Sequence, residues 1–117
     1  MIWTFRLPTP PSTNNLFVNA PGVGRVKGKK YKAWMRDADK YLTAQRRPAE
    51  PITYRVTLEI QVPRIKNADI SNRIKAAEDM MVKAGIMRDD YLVERVSAEW
   101  IEGPECIVTI APFEARK

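Results

Sequence analysis

The sequence predicts an α+β fold: a single domain with one mainly antiparallel, mixed sheet backed by about two helices. Three observations lead there. Runs of alternating apolar and polar residues stand at both ends and in the middle of the chain. Two stretches between them carry apolar residues at helical spacing, and breakers separate the runs. At 117 residues the chain has room for one core, so 1–117 is taken as one domain.

The elements follow in order. Ile2 to Leu7 sets Trp3, Phe5 and Leu7 against Ile2, Thr4 and Arg6, the period of a half-buried strand. Pro8, Pro10 and Pro11 then fix a rigid extended segment that presents Ser12, Asn14 and Asn15. Residues 16–30 combine Gly22, Gly24 and Gly28 with Arg25, Lys27, Lys29 and Lys30 and read as a basic loop, suited to lie on phosphates or simply flexible. From Tyr31 to Gln45 the residues Trp34, Ala38, Tyr41 and Leu42 recur at helical spacing, which makes both aromatics core residues; Pro48 closes the helix. Ile52 to Val62 alternates throughout and is the clearest strand, with Tyr54 on its buried side. Tyr91 to Ile101 and Cys106 to Ala111 are two further strands joined through Glu102-Gly103-Pro104, and a short polar tail begins at Pro112.

Between the last two groups of strands lies the stretch from Asn67 to Asp90. Asp69 is placed as the N-cap of a helix running to Ala84, with Gly85 as its left-handed stop. At about 100° per residue, Ile70, Ile74, Ala77 and Met81 form its buried stripe, and Asn72, Lys75 and Asp79 share another face. Lys75 and Asp79 can be a plain surface ion pair. The adjacent Asp89 and Asp90 beyond the helix stop place like charges side by side, which a bound cation would relieve.

Composition narrows the chemistry. The chain has no histidine and one cysteine, Cys106, which excludes a Ser-His-Asp triad, a Cys-His pair and an internal disulfide. Cysteine usage and the lack of a signal pattern lead to the expectation of a reducing cytoplasm. The net charge of +6 favours polyanions, yet seven of the fourteen acids fall in residues 69–99, so a basic body surrounds an acidic patch. Carboxylates holding Mg²⁺ beside a lysine are a histidine-free route to phosphodiester hydrolysis.

Three motifs resemble the RusA family of Holliday junction resolvases, small basic endonucleases common in phages and prophages. Leu7-Pro8-Thr9-Pro10-Pro11-Ser12-Thr13-Asn14 is similar to the family's Pro-Pro-Ser-x-Asn segment. Asp69-Ile70-Ser71-Asn72-Arg73-Ile74-Lys75 resembles its Asp-x-Asp-Asn-x-x-Lys core, and Asp79, Ala84-Gly85 and Asp89-Asp90 stand at family spacing. The resemblance implies a homodimer that binds four-way junction DNA and nicks opposed strands symmetrically in recombination and repair, with Mg²⁺ or Mn²⁺. It places Asp69, Lys75 and Asp90 as catalytic residues and Asp69 and Asp90 on the metal, with Asp79, Asp89 and Ser71 as further candidate ligands. Ser71 departs from the pattern, which has an aspartate there. The alternative is a junction- or DNA-binding protein whose catalysis Ser71 has weakened. Candidate DNA contacts are Asn14, Arg25, Lys27, Lys29, Lys30, Arg64, Lys66 and Arg73.

One distance constrains the site. A helix from Asp69 to Gly85 rises about 24 Å, while the steps from Gly85 to Asp90 span at most about 17 Å. Asp90 approaches Asp69 only if the chain doubles straight back, unless a partner subunit supplies part of the ligand set.

Overall fold

The computed structural model describes residues 1–12, 17–20, 22 and 24–114, with the strand residues 17–20 and 24–27 described by their backbone alone. The strands are β1 (Trp3–Leu7), β2 (Phe17–Ala20), β3 (Gly24–Lys27), β4 (Val56–Pro63), β5 (Val93–Ile101) and β6 (Cys106–Pro112). The helices are α1 (Lys29–Thr43) and α2 (Ser71–Lys83), and a 3-10 turn at Asp90–Leu92 precedes β5.

Strands β1, β6, β4 and β5 form a four-stranded mixed sheet in that order. β6 pairs antiparallel with β1 and β4, while β4 and β5 run parallel. Parallel neighbours need a long crossover, and the segment carrying α2 supplies it. α1 packs on β1, α2 on β4, and the two helices touch. This is the α+β architecture the alternation predicts.

The core lies between the sheet and the helices. Val56, Leu58, Ile60 and Val62 of β4 are at most 1% exposed, as are Phe5, Leu7, Val108 and Ile110 from the flanking strands. Each such side chain contributes about 1.5–3 kcal/mol of burial. From α2, Ala76, Ala77, Met80 and Met81 are buried, with Ile70 and Ile74 packed against the cluster's edge. Cys106 is buried in β6, and desolvation pushes its thiol up to about 12, so it packs as a small hydrophobe.

Several expectations change. Residues 16–30 are not simply a loop: β2 and β3 form a two-stranded antiparallel sheet. The strand expected from Ile52 begins at Val56. Ile52 instead forms an isolated parallel bridge with Met87, and Tyr54 is 42% exposed. Tyr41, expected in the core, is 39% exposed, while Trp34 is buried and its indole N–H donates to the Pro8 carbonyl at 3.0 Å. Pro112 belongs to β6 rather than to a tail, and the Phe113 N–H donates to the Arg55 carbonyl at 2.9 Å. Asn14 and Asn15 lie outside the described residues.

The free edge of β1 is closed by a side chain. The Gln45 amide accepts from the Arg6 N–H at 2.8 Å and donates to the Arg6 carbonyl at 2.7 Å, mimicking a neighbouring strand. No helix among the described residues is long and apolar enough to cross a membrane.

Candidate active site

Asp69 precedes α2 without capping it. The N-cap is Ile70, no side chain caps the helix, and it is the backbone carbonyl of Asp69 that accepts from the Asn72 N–H at 3.3 Å. Released from the expected cap, Asp69 is exposed and lines a small cavity of about 320 Å³ with Ser12, Asn67, Ala68, Asn72 and Arg73. Asn67, which also lines this cavity, adopts the left-handed conformation at φ 59°. Ser71 is exposed at the first position of α2.

At the other end, α2 stops at Gly85, whose φ of 77° is the left-handed conformation expected there. The chain then doubles back, and backbone bonds hold the return. The Ile86 and Met87 N–H groups donate to the Met81 carbonyl at 3.0 and 3.1 Å. Ile52 clamps the segment from the side: its N–H donates to the Ile86 carbonyl at 2.8 Å, and its own carbonyl accepts from the Arg88 N–H at 2.9 Å. The Arg47 guanidinium donates to the Ala84 carbonyl, covering the helix end. Asp89 then caps the 3-10 turn, its Oδ1 accepting from the Asp90 N–H at 2.7 Å.

This return brings Asp90 to the middle of α2. Lys75 Nζ lies 3.0 Å from Asp79 Oδ1 and 3.8 Å from Asp90 Oδ2. Asp79, Asp89 and Asp90 share a cavity of about 370 Å³ with Tyr31, Met35, Met80, Val82 and Lys83. The acidic residues therefore divide into two places. Asp90 meets the level of Lys75 and Asp79, whereas Asp69 stands six residues before Lys75, about 9 Å along the axis, in its own cavity.

Electrostatics tie the second place together. The hydrogen bond from Lys75 to Asp79 holds the ammonium above the usual lysine pKa, against the opposing effect of partial burial, with Glu78 and Asp90 adding to the rise. Lys75 is thus a cation at neutral pH. Burial raises the Glu78 carboxyl, and Asp90 and Asp79 raise it further while Lys75 lowers it. Tyr31, 3% exposed and stacked with Trp34 at a centroid distance of 6.3 Å, is raised by burial and then by Asp79, so its hydroxyl stays protonated. Sequence reasoning misses Glu78 and Tyr31 as members of the site. Glu78 sits one turn beyond Lys75, a detectable signal, but nothing local ties Tyr31 to the aspartates.

The cationic candidates are dispersed. Lys29 and Lys30 are exposed at the start of α1, and Lys66 is exposed before α2. Arg64 is exposed, with its guanidinium over the Trp100 ring at 5.9 Å from the centroid. Arg73 turns inward: its Nη1 donates to the Pro10 carbonyl at 2.8 Å, and its Nε is buried with no hydrogen-bond partner among the described residues. Arg25 and Lys27 lie in β3, their side chains outside the described residues.

A family model for the endodeoxyribonuclease RusA matches residues 8–111, nearly the whole chain. The chain belongs to the RusA endodeoxyribonuclease family. The match spans the proline segment, both cavities and the Lys75 cluster. No curated protein matches the sequence.

The donors suit a hard cation: the carboxylates of Asp79, Asp89 and Asp90 line one cavity, and no histidine or cysteine lines it with them. Among the described residues no three acidic, cysteine or histidine side chains converge closely enough to hold a metal, and Lys75 Nζ lies between Asp79, at hydrogen-bond distance, and Asp90, at ion-pair distance.

Proposed function

We propose that this chain is a Mg²⁺-dependent, structure-selective endodeoxyribonuclease that resolves Holliday junctions by symmetric nicking, with Mn²⁺ able to substitute. The observation that carries the reading is the seat of Lys75 between Asp79 and Asp90, on a chain of the RusA family. Asp79, Asp89 and Asp90, which share one cavity, would supply metal ligands, and Asp69 and the Ser71 hydroxyl would supply the others. When bound, magnesium supplies polarisation of a phosphoryl oxygen and a lowered pKa for its coordinated water.

The chain's own residues do the rest. Lys75, protonated throughout the neutral range, offsets negative charge developing on the scissile phosphate. Its partner carboxylates keep it oriented before the phosphate arrives. The protonated Tyr31 hydroxyl beside Asp79 serves as a hydrogen-bond donor at the cavity wall. Arg25, Lys27, Lys29, Lys30, Arg64 and Lys66 attract the backbone without reading sequence.

Two symmetric nicks call for two sites. A four-way junction has approximate two-fold symmetry, which an isologous homodimer matches. The separation of the Asp69 cavity from the Asp90 cavity supports a shared arrangement in which one subunit's Asp69 faces the other's Asp90. Mixing Asp69→Asn and Asp90→Asn subunits tests this, since a shared site restores activity in mixed dimers. The reading as a whole is tested by comparing cleavage of a synthetic four-way junction with that of a linear duplex of the same sequence. Junction-selective, metal-dependent cutting supports it. Tight junction binding with no cutting at any Mg²⁺ or Mn²⁺ concentration makes the chain a junction-binding protein instead.

A further inference from the structure

The acidic cavity does not end at the aspartates. A second open groove of about 530 Å³ runs between α1 and α2, lined by Lys32, Met35, Arg36, Asp39, Met80 and Lys83. Met35, Met80 and Lys83 line both spaces, so the groove is continuous with the site that holds Asp79, Asp89 and Asp90.

We infer that this groove is a track for the phosphate backbone of a duplex arm, with Lys32, Arg36 and Lys83 as its contacts. Its floor is apolar, since Met35 and Met80 are 9% and 3% exposed, while the three cations are exposed on the rims. Methionine offers no directional donor with which to read base edges, so the groove recognises charge and shape rather than sequence.

The cations are arranged at a cost the chain alone does not repay. Lys32 and Arg36 are an i, i+4 like-charge pair, which weakens an isolated helix. Lys29 and Lys40 extend the row, all four falling within about 80° around α1. Lys83 faces this row from α2. Among the described residues, no ion pair holds Lys32, Arg36 or Lys83. Asp39 opposes them, which leaves the lining with three cations against one acid. A polyanion supplies the missing partner charges, and the groove's opening onto the acidic cavity leads a bound strand towards Lys75.

The inference rests on the nuclease reading for the identity of the polyanion, but its test is binding rather than cutting. The pair Arg36→Gln/Lys83→Gln is compared with Arg46→Gln/Arg95→Gln, exposed cations outside the groove. Affinity for a fluorescent four-way junction is measured across a salt series without added divalent metal, with melting curves to confirm that each variant folds. Each lost phosphate contact lowers the salt slope by about 1, so the groove pair should lose about 2 and bind roughly tenfold to a hundredfold more weakly near 0.1 M salt. The control pair should keep the wild-type slope.

An unchanged slope in the groove pair overturns the assignment, as does an equal loss in the control pair or a wild-type chain that binds no DNA. If the wild type binds through the groove yet cuts no junction, the groove stands and the nuclease reading fails.

Discussion

Lys75 Nζ and Asp90 Oδ2 lie 3.8 Å apart across the turn that ends α2, and the turn is built to keep them so. Gly85 reverses the chain, Ile52 clamps the returning segment through both its N–H and its carbonyl, and Asp89 caps the 3-10 turn that aims Asp90. Replacing Lys75 with methionine keeps the aliphatic stem and removes the charge. Cleavage of junction DNA should fall by roughly 100-fold to 1000-fold, the scale of losing one charge-stabilising donor at a reacting phosphate. Junction affinity should change far less, and a kcat/KM series on the variant separates the two.

Gly85 is the hinge of that return. Its φ of 77° lies where a Cβ is strained, and a methyl placed there would meet only Arg47 Nη2, at 3.6 Å. Gly85→Ala should therefore cost about 1 kcal/mol through backbone strain rather than a clash. Chemical denaturation reads the cost.

The proline segment is held at two carbonyls, Pro8 by Trp34 and Pro10 by Arg73. Trp34→Phe leaves the Pro8 carbonyl without its donor and should cost about 1–3 kcal/mol. Arg73→Met should loosen the same segment, read as faster hydrogen exchange near α1 and α2. A role for Arg73 in DNA contact alone would leave exchange unchanged.

Glu78 gives the pH dependence its sign. Burial and the neighbouring aspartates raise its pKa in the folded chain, so the folded state holds this proton more tightly than the unfolded one. Stability from this group is fully present below the unfolded glutamate pKa and is lost as pH rises through the folded value. Glu78→Gln should accordingly raise the melting temperature at neutral pH, and the gain should shrink towards zero in acid below the usual glutamate range. Melting curves across that span check it.

Local pattern made much of this legible. The burial of Val56, Leu58, Ile60 and Val62 follows from alternation, and the end of α2 from Gly85 alone. Tertiary placement was not legible. Ile52 continues the alternation of β4 yet leaves the strand to bridge Met87, because a returning segment there offers its backbone a partner. The glycines and cations of residues 16–30 mask the pairing of β2 with β3, since neither composition nor period signals a strand. At the site, the spacing of Lys75 and Asp79 was readable, whereas Tyr31 reaches the aspartates only through the packing of α1 on α2. Asp69 looked like a cap by residue type, but the N-cap is Ile70, which leaves the Asp69 carboxylate to a separate cavity.

Whether Asp90 and its cluster cut junction DNA is read most directly from one comparison. Cleavage of a synthetic four-way junction with Mg²⁺ is measured for the wild type and for Asp90→Asn, with junction binding followed in parallel. Asp90 is exposed, so the variant should fold and bind as the wild type does. The expected result is paired nicks on opposed strands with the wild type and their loss in Asp90→Asn. Undiminished cutting by Asp90→Asn, or no cutting by a wild type that binds the junction, would contradict the assignment.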